Sequence, residues 1–389
     1  MRQNNRFNLQ TAVTHDERDS FYGEVVPPVF MSTLFTYRNF DDFQRMQRDQ
    51  SGYYYSRMGN PTLQVLETQL ARLENGEAAK VFASGMAAVS VALLHLLKQG
   101  DHVVCQYPIY GGTHKLLRQY LPKFGVSVDF IDFKDVEEVR AAIRPNTKVL
   151  MCESISTFLM EVFDVAAIVG LAKEFGLYTV MDNTCATPAN FRPLDWGIDI
   201  VVHSASKYFG GHSDVIAGAV IASKKFIEGM IDLELSLLGS ALGPFEAWLV
   251  GRGLRTFPLR IREQGRSALE IAKLLADTPR VTAVHYPLLP GHPQFELASR
   301  QLDGPSGLLS FEMEGGTEAI AGMIDRLRLF QIGVSWGGFE SLVYAPCMSP
   351  GADADTPSGK RMRSLVRLSV GLENTDDLLN DLQQAFGEG

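Results

Sequence analysis

The sequence predicts an α/β protein in two unequal parts, and three observations carry that expectation. Between about 61 and 240, short β-branched runs alternate with segments whose apolar residues recur at helical spacing. Beyond about 300 the pattern changes to alternating strands and one closing helix. At 389 residues the chain exceeds what a single small core organises. Its 46% apolar and 21% charged content is that of a globular protein. The net charge of −9 excludes nucleic acid and an anionic membrane surface as principal partners.

Residues 1–60 read as an irregular polar arm, broken by Pro27-Pro28 and running into the tyrosine-rich SGYYYSRMGNPT (51–62). The segment TLQVLETQLARLENG (62–76) has helical spacing and a glycine stop. VFASGMAAVSVALLHLL (81–97) is the most apolar helical segment. It is shorter than a bilayer span and carries Ser84, Gly85, Ser90 and His95, so it reads as a buried helix. Strands are expected at HVVCQ (102–106), KVLMCES (148–154), LYTVMDN (177–183) and IDIVVHS (198–204), with helices at 135–143 and 164–176 among them. This alternation predicts a mostly parallel sheet between helices, forming a large domain over 61–245. A long helix near 245–277 leads into a second domain, 246–389. There GLLSFEME (307–314), LVRLSVGLE (365–373) and the closing helix TDDLLNDLQQAF (375–386) predict a smaller α+β unit with an antiparallel sheet. MSPGADADTPSGK (348–360) reads as a mobile loop. The first twenty residues lack an apolar core of signal-peptide length, and the four cysteines are far apart. Reduced thiols in a cytoplasmic protein are therefore expected. The eight histidines show no metal-ligand spacing, so no metal site is expected.

The stretch VVHSASKYFGGHSD (201–214) ends a β-branched run in a lysine set between hydroxyls, with two glycines behind. Lys207 is either a surface charge closing the strand or an amine kept in a pocket. Ligands of open α/β sheets sit outside the carboxyl ends of the strands. The residues following each strand therefore name the pocket walls: Tyr107 and Tyr110, Glu153 and Ser154, Asp182 and Asn183, and Lys207. Pyridoxal phosphate needs an amine for its aldehyde, a carboxylate for its ring nitrogen, an aromatic face and an anion site. Ser84-Gly85-Met86 supplies the last, where free N–H groups of a first helical turn meet the positive end of the dipole. Ser204 and Ser206 add hydroxyls, and Gly210 and Gly211 let the backbone turn away. Each feature alone has an ordinary reading, an N-cap or a solvated charge. Their convergence on one rim carries the inference.

With these residues in view, the chain resembles the pyridoxal-phosphate enzymes of cysteine and methionine metabolism: cystathionine β- and γ-lyases, cystathionine γ-synthase and methionine γ-lyase. The matching motifs are YSRMGNPT (55–62), ASGMAA (83–88), YGGT (110–113), MDNTCATP (181–188), SASKYFGGHSD (204–214), GLRTFPLRI (253–261), SWGGFESL (335–342) and RLSVGLE (367–373). The resemblance implies the type I fold of pyridoxal-phosphate enzymes. It implies Lys207 as the Schiff-base lysine, Asp182 as partner of the pyridinium, and Tyr110 stacked on the ring. Gly85, Met86, Ser204 and Ser206 would hold the phosphate. Tyr55 and Arg57 would reach the neighbouring subunit's phosphate, which implies a homodimer with shared sites, usually paired into a tetramer. Arg367 would grip the substrate carboxylate beside Ser335.

The resemblance implies elimination of a Cβ or Cγ substituent from an amino acid, above all a sulfur amino acid, giving a 2-oxo acid and ammonia. Trp336 and MEVFDV (160–165) follow the β-lyase version, and Thr157 lies where many γ-specific members have asparagine. Val334 follows methionine γ-lyases and has no charge for the distal ammonium of cystathionine. A γ-lyase or γ-replacement enzyme for canavanine, methionine or an O-acyl-homoserine therefore stands beside a cystathionine-lyase-like enzyme. A catalytically inactive binding protein on the same fold is a third reading. The intact set Lys207, Asp182, Tyr110 and Arg367 speaks against it.

Overall fold

The first long helix starts where Asn60 meets Pro61. The Asn60 side chain accepts the Thr62 N–H, Pro61 fills the first turn without losing a hydrogen bond, and the helix runs Pro61–Leu73. The computed structural model describes residues 8–15, 22–49, 52–348 and 362–387, and two sheets organise them. The larger contains β1 (Ala78–Phe82), β2 (His102–Gln106), β3 (Ser127–Ile131), β4 (Thr147–Glu153), β5 (Tyr178–Asp182), β6 (Ile200–His203) and β7 (Gly218–Ala222). Their order is β1-β7-β6-β5-β4-β2-β3. The run from β3 to β6 is parallel, as the alternation predicts, while β7 lies antiparallel to both β6 and β1.

Both faces of the central parallel strands are buried, as sheets of this kind require, while the edge strand β3 is half-buried throughout. Val104, Leu150, Met181 and Val201 pack with helices Pro61–Leu73 and Val165–Phe175 on one face. Val103, Val149, Met151, Val180 and Val202 pack under helix Gly85–Leu96 on the other. The second sheet contains β8 (Val281–His285), β9 (Leu308–Met313), β10 (Gln331–Ile332), β11 (Leu342–Tyr344) and β12 (Leu365–Ser369), in the order β10-β11-β12-β9-β8. It is antiparallel except for the short β10–β11 pair. The closing helix spans Thr375–Phe386.

Three expectations need correction. The long helix near 245–277 is two helices, Pro244–Leu254 and Phe257–Asp277, interrupted at Arg255 and Thr256, with Pro258 in the first turn of the second. The arm is not wholly irregular: it contains helices Leu9–Thr14 and Phe40–Asp49. Strands β1, β3, β7, β8, β10 and β11 were not expected from the pattern. In β1 the buried Lys80 interrupts the apolar run, because Glu67 and the Met58 carbonyl receive its ammonium. The 348–360 loop, apart from Met348, lies outside the described residues. No helix among the described residues is long and apolar enough to cross a membrane.

Candidate active site

The registers of β4, β5 and β6 bring the expected residues to one edge. Glu153 is the cross-strand partner of Asp182, and Asp182 is that of Val202. Lys207 follows β6 by one tight turn, its N–H donating to the Ser204 carbonyl at 3.2 Å. The Lys207 Nζ donates to Ser335 Oγ at 2.8 Å and lies 5.6 Å from the centre of the Trp336 ring. Among the described residues it has no ion pair. Burial, then the charge of Arg367, lowers its pKa below that of an ordinary lysine, with Asp182 opposing. The neutral amine is thereby brought closer to hand. Oδ1 of Asp182 accepts the Thr184 N–H at 2.9 Å and the Thr184 hydroxyl at 2.5 Å. Burial raises the Asp182 carboxyl; the two Thr184 bonds and the nearby His203 and Lys207 oppose it.

The anion cradle is defined by how closely backbone approaches backbone. Helix Gly85–Leu96 starts at Ser84, whose hydroxyl accepts the Ala87 N–H at 3.1 Å. A Cβ at Gly85 would stand 2.7 Å from the Ser204 Cβ and 2.9 Å from its hydroxyl. Only glycine leaves the first-turn N–H groups and Ser204 facing one small space. A Cβ at Gly112 would strike both the Tyr110 ring at 2.5 Å and the Met86 sulfur at 2.7 Å, so these side chains border one another. Ser206 has backbone partners of its own. Its hydroxyl donates to the Ala217 carbonyl at 3.2 Å and accepts the Ala217 N–H at 2.9 Å, which ties the lysine turn to the lead-in of β7. An amine without a carboxylate partner, a carboxylate with one oxygen committed to Thr184 and a side-chain-free cradle at a helix start together fit pyridoxal phosphate.

Arg367 comes from β12 of the second sheet and is only 6% exposed. Its Nη2 donates to the carbonyls of Val334 at 2.8 Å and Ser335 at 3.2 Å. The guanidinium also lies 5.5 Å from the ring of Phe158 and 5.3 Å from that of Tyr344. Burial draws its pKa down to about 10, which still leaves it charged near neutrality. No carboxylate pairs with it among the described residues. Val334 is 78% exposed, and Trp336 packs edge-on against Tyr208 at 5.5 Å.

Comparison with known proteins decides the family. The sequence model of the Cys/Met metabolism PLP-dependent enzymes matches residues 10–387. The chain belongs to that family. A probable cystathionine gamma-synthase of Herpetosiphon aurantiacus is 41% identical over 325 residues, covering 83% of this chain and 99% of the relative. An L-methionine gamma-lyase of Treponema denticola is 38% identical over 372 residues, 94% of this chain and 93% of the relative. The crystal structure of a putative O-acetylhomoserine (thiol)-lyase from Campylobacter jejuni, which carries a pyridoxyl-lysine phosphate, superposes with a TM-score of 0.92 at 30% identity. The match covers 98% of this chain and all 100% of that one.

In this member of the Cys/Met metabolism PLP-dependent enzymes, one residue of the sequence-based pocket edge lies elsewhere, and others have partners within the chain. Asn183 is not a pocket wall: it is fully buried, and its amide donates to Glu74 Oε1 at 2.9 Å and to the Phe191 carbonyl at 2.8 Å. The Thr157 hydroxyl is engaged with Glu153 Oε1 at 2.9 Å. In the arm, the Arg57 guanidinium lies 5.2 Å from the Tyr55 ring. There residues 32–35 pair with 54–56, through Phe35 N–H to the Tyr54 carbonyl, Ser56 N–H to the Thr33 carbonyl and the Ser56 hydroxyl to the Ser32 carbonyl. Sequence reasoning missed Thr184, Phe158 and Tyr344. Thr184 had a signal, a hydroxyl two residues beyond a strand-ending aspartate. The aromatic pair had none, because its members lie 186 positions apart (344 − 158).

Proposed function

We propose that this enzyme expels a substituent from Cγ of an amino acid, releasing a 2-oxo acid and ammonia, and that its substrate is a sulfur amino acid. One observation carries the amino-acid reading: Ser335 joins the Lys207 amine through its hydroxyl and the Arg367 guanidinium through its carbonyl. The groups suited to a substrate's α-nitrogen and to its carboxylate thus meet at one residue. Pyridoxal phosphate, when bound, supplies the electron sink for the Cα carbanion. Lys207 would link to it, with Asp182 at the ring nitrogen, Tyr110 over the ring, and Gly85, Met86, Ser204 and Ser206 around the phosphate. Arg367 would clamp the carboxylate and so orient Cα toward the Lys207 amine. As a neutral base, that amine would take the Cα proton, pass it on, and then take a Cβ proton, which would allow departure from Cγ. Val334, apolar and exposed at the mouth, suits a substrate whose distal end is uncharged.

The curated relatives' names support the γ position. A panel of methionine, an O-acyl-homoserine, canavanine, cystathionine and cystine tests it by the product. The expected product from the first two is 2-oxobutyrate; pyruvate from cystathionine and cystine as the sole activity would overturn it. β-Elimination is the second reading, favoured by the Trp336 ring beside the Lys207 amine. Exposure of Tyr55, Tyr54 and Leu34 on the arm supports a homo-oligomer in which Tyr55 and Arg57 complete a neighbour's site. The four unpaired cysteines accord with a cytoplasmic protein.

A further inference from the structure

Glu153 is a buried carboxyl, 5% exposed, that no step above uses. It ends β4 directly beside Asp182, on the face covered by helix Gly85–Leu96. Its own N–H is fixed by the buried Gln106 side chain at 2.8 Å. Three donors converge on its oxygens. The Tyr110 N–H reaches Oε1 at 2.9 Å, the Thr157 hydroxyl reaches Oε1 at 2.9 Å, and the Thr157 N–H reaches Oε2 at 2.7 Å. No cation neutralises it among the described residues.

The two segments it gathers carry different parts of the site. Tyr110 opens the short helix Gly111–Lys115 and borders Met86 across Gly112. Thr157 precedes Phe158, whose backbone takes φ +68°, a conformation that costs a non-glycine residue strain and persists only when its surroundings hold it. That turn lays the Phe158 ring 5.9 Å from Tyr344 and 5.5 Å from the Arg367 guanidinium. A continuous path therefore runs from Tyr110 through Glu153 and Thr157 to Phe158 and Arg367.

We propose that Glu153 is a positioning residue that fixes the spacing between the aromatic face of Tyr110 and the carboxylate-gripping Arg367 by tying both supporting segments to the end of β4. The proposal rests on the amino-acid-lyase reading above for what the two ends hold. Burial first, and Asp182 next, push the Glu153 carboxyl up to about 8, with the Thr157 and Tyr110 bonds opposing. The chain thus keeps a poorly solvated acid where glutamine or an apolar residue would be less costly to bury. A role requiring all three acceptor contacts accounts for that.

The test compares holoenzymes of wild type, Glu153→Gln, Glu153→Ala and Thr157→Val. The readouts are the circular dichroism induced in the bound cofactor's visible band, KM against kcat for the amino acid, and the denaturation midpoint. Glu153→Ala is expected to change the induced signal and raise KM by about tenfold, the upper scale of one lost hydrogen bond. Glu153→Gln keeps an acceptor for Tyr110 and for the Thr157 hydroxyl but turns a donor toward the Thr157 N–H, so it is expected to restore the signal and KM only in part. Thr157→Val, which leaves the carboxyl in place, is expected to move KM in the same direction by less. A lowered midpoint with signal and KM unchanged, in Glu153→Ala or, should that variant not fold, in Thr157→Val, overturns the proposal. The dichroism is read on resting enzyme. Failure of the substrate reading appears separately, as wild-type protein that forms no 2-oxo acid.

Discussion

Two buried glutamates stand on opposite faces of the same sheet, and they are held in opposite ways. Glu74, at the end of helix Pro61–Leu73, lies 2.5 Å from His203 Nε2 and accepts the Asn183 amide; both it and His203 are almost wholly enclosed. Glu153, under the other face, has hydrogen-bond donors but no cation among the described residues, and sits beside the carboxyl of Asp182. Strand alternation makes the division: Val201 and His203 look toward one set of helices, Val202 and Asp182 toward the other. The closed pair anchors the ends of β5 and β6 from behind. The open face keeps the buried acids and the amine that the proposed chemistry would use. One pair of adjacent strands thus separates rigidity from reactivity by the direction its side chains point.

The sharpest way to break this division is at the lysine. Lys207→Ala should cut turnover at least about a thousandfold, within the range for a lost acid–base group, while leaving the denaturation midpoint near that of wild type. A large fall in the midpoint would mean that the reactive face also bears the fold. Glu74→Ala is the converse experiment. It strands a buried imidazole and amide, so a loss of about 3–5 kcal/mol is expected in urea unfolding. Arg367→Lys keeps the charge but loses the fork that holds the Val334 and Ser335 carbonyls. It should raise KM for the amino acid by roughly tenfold to a hundredfold with a smaller change in kcat.

The last effect is in pH. Glu153 is raised from 4.5 to about 8, so above pH 4.5 the folded chain retains a proton that the unfolded chain has released. The stability that this proton contributes is fully present below 4.5 and is lost as pH rises through about 8. Among the described residues, Asp182, Cys105, Cys152 and Cys185 couple electrostatically to it, and none of them carries positive charge. Glu153→Gln should therefore flatten the decline in unfolding free energy between pH 4.5 and 8. An unchanged slope would move that proton elsewhere.

How much of this was legible follows the range over which each feature is determined. Lys207, Asp182 and the Ser84-Gly85 helix start are local: an apolar run stops and a polar residue follows, so strand ends and the pocket edge read directly from the chain. The parallel order of β2, β4, β5 and β6 follows from the same alternation. Strand β7 escaped because GAVIA, lacking large or strictly alternating side chains, is defined by pairing with β6 and β1 on both sides. The helix break at Thr256 was hidden by apolar residues that continue on both sides of it. Glu153 was visible as a residue of the pocket edge, but not its role in joining, since its partner Tyr110 is 43 positions away and contributes a backbone N–H that any residue would present. Asn183 was misplaced because the strand ends one residue earlier than its polarity implied, and its side chain turns to the far face.

The Ser335 hydroxyl that holds Lys207 arrives from the second sheet, on a segment fastened from below by the Gln264 amide at Gly338 and Val370. Catalysis is thereby made hostage to a seam. A change at Gln264, remote from any bound amino acid, would slide one half of the grip past the other while leaving every contacting group intact. Altered tastes in a descendant of this enzyme can arise at positions that an inventory of its pocket lining would pass over.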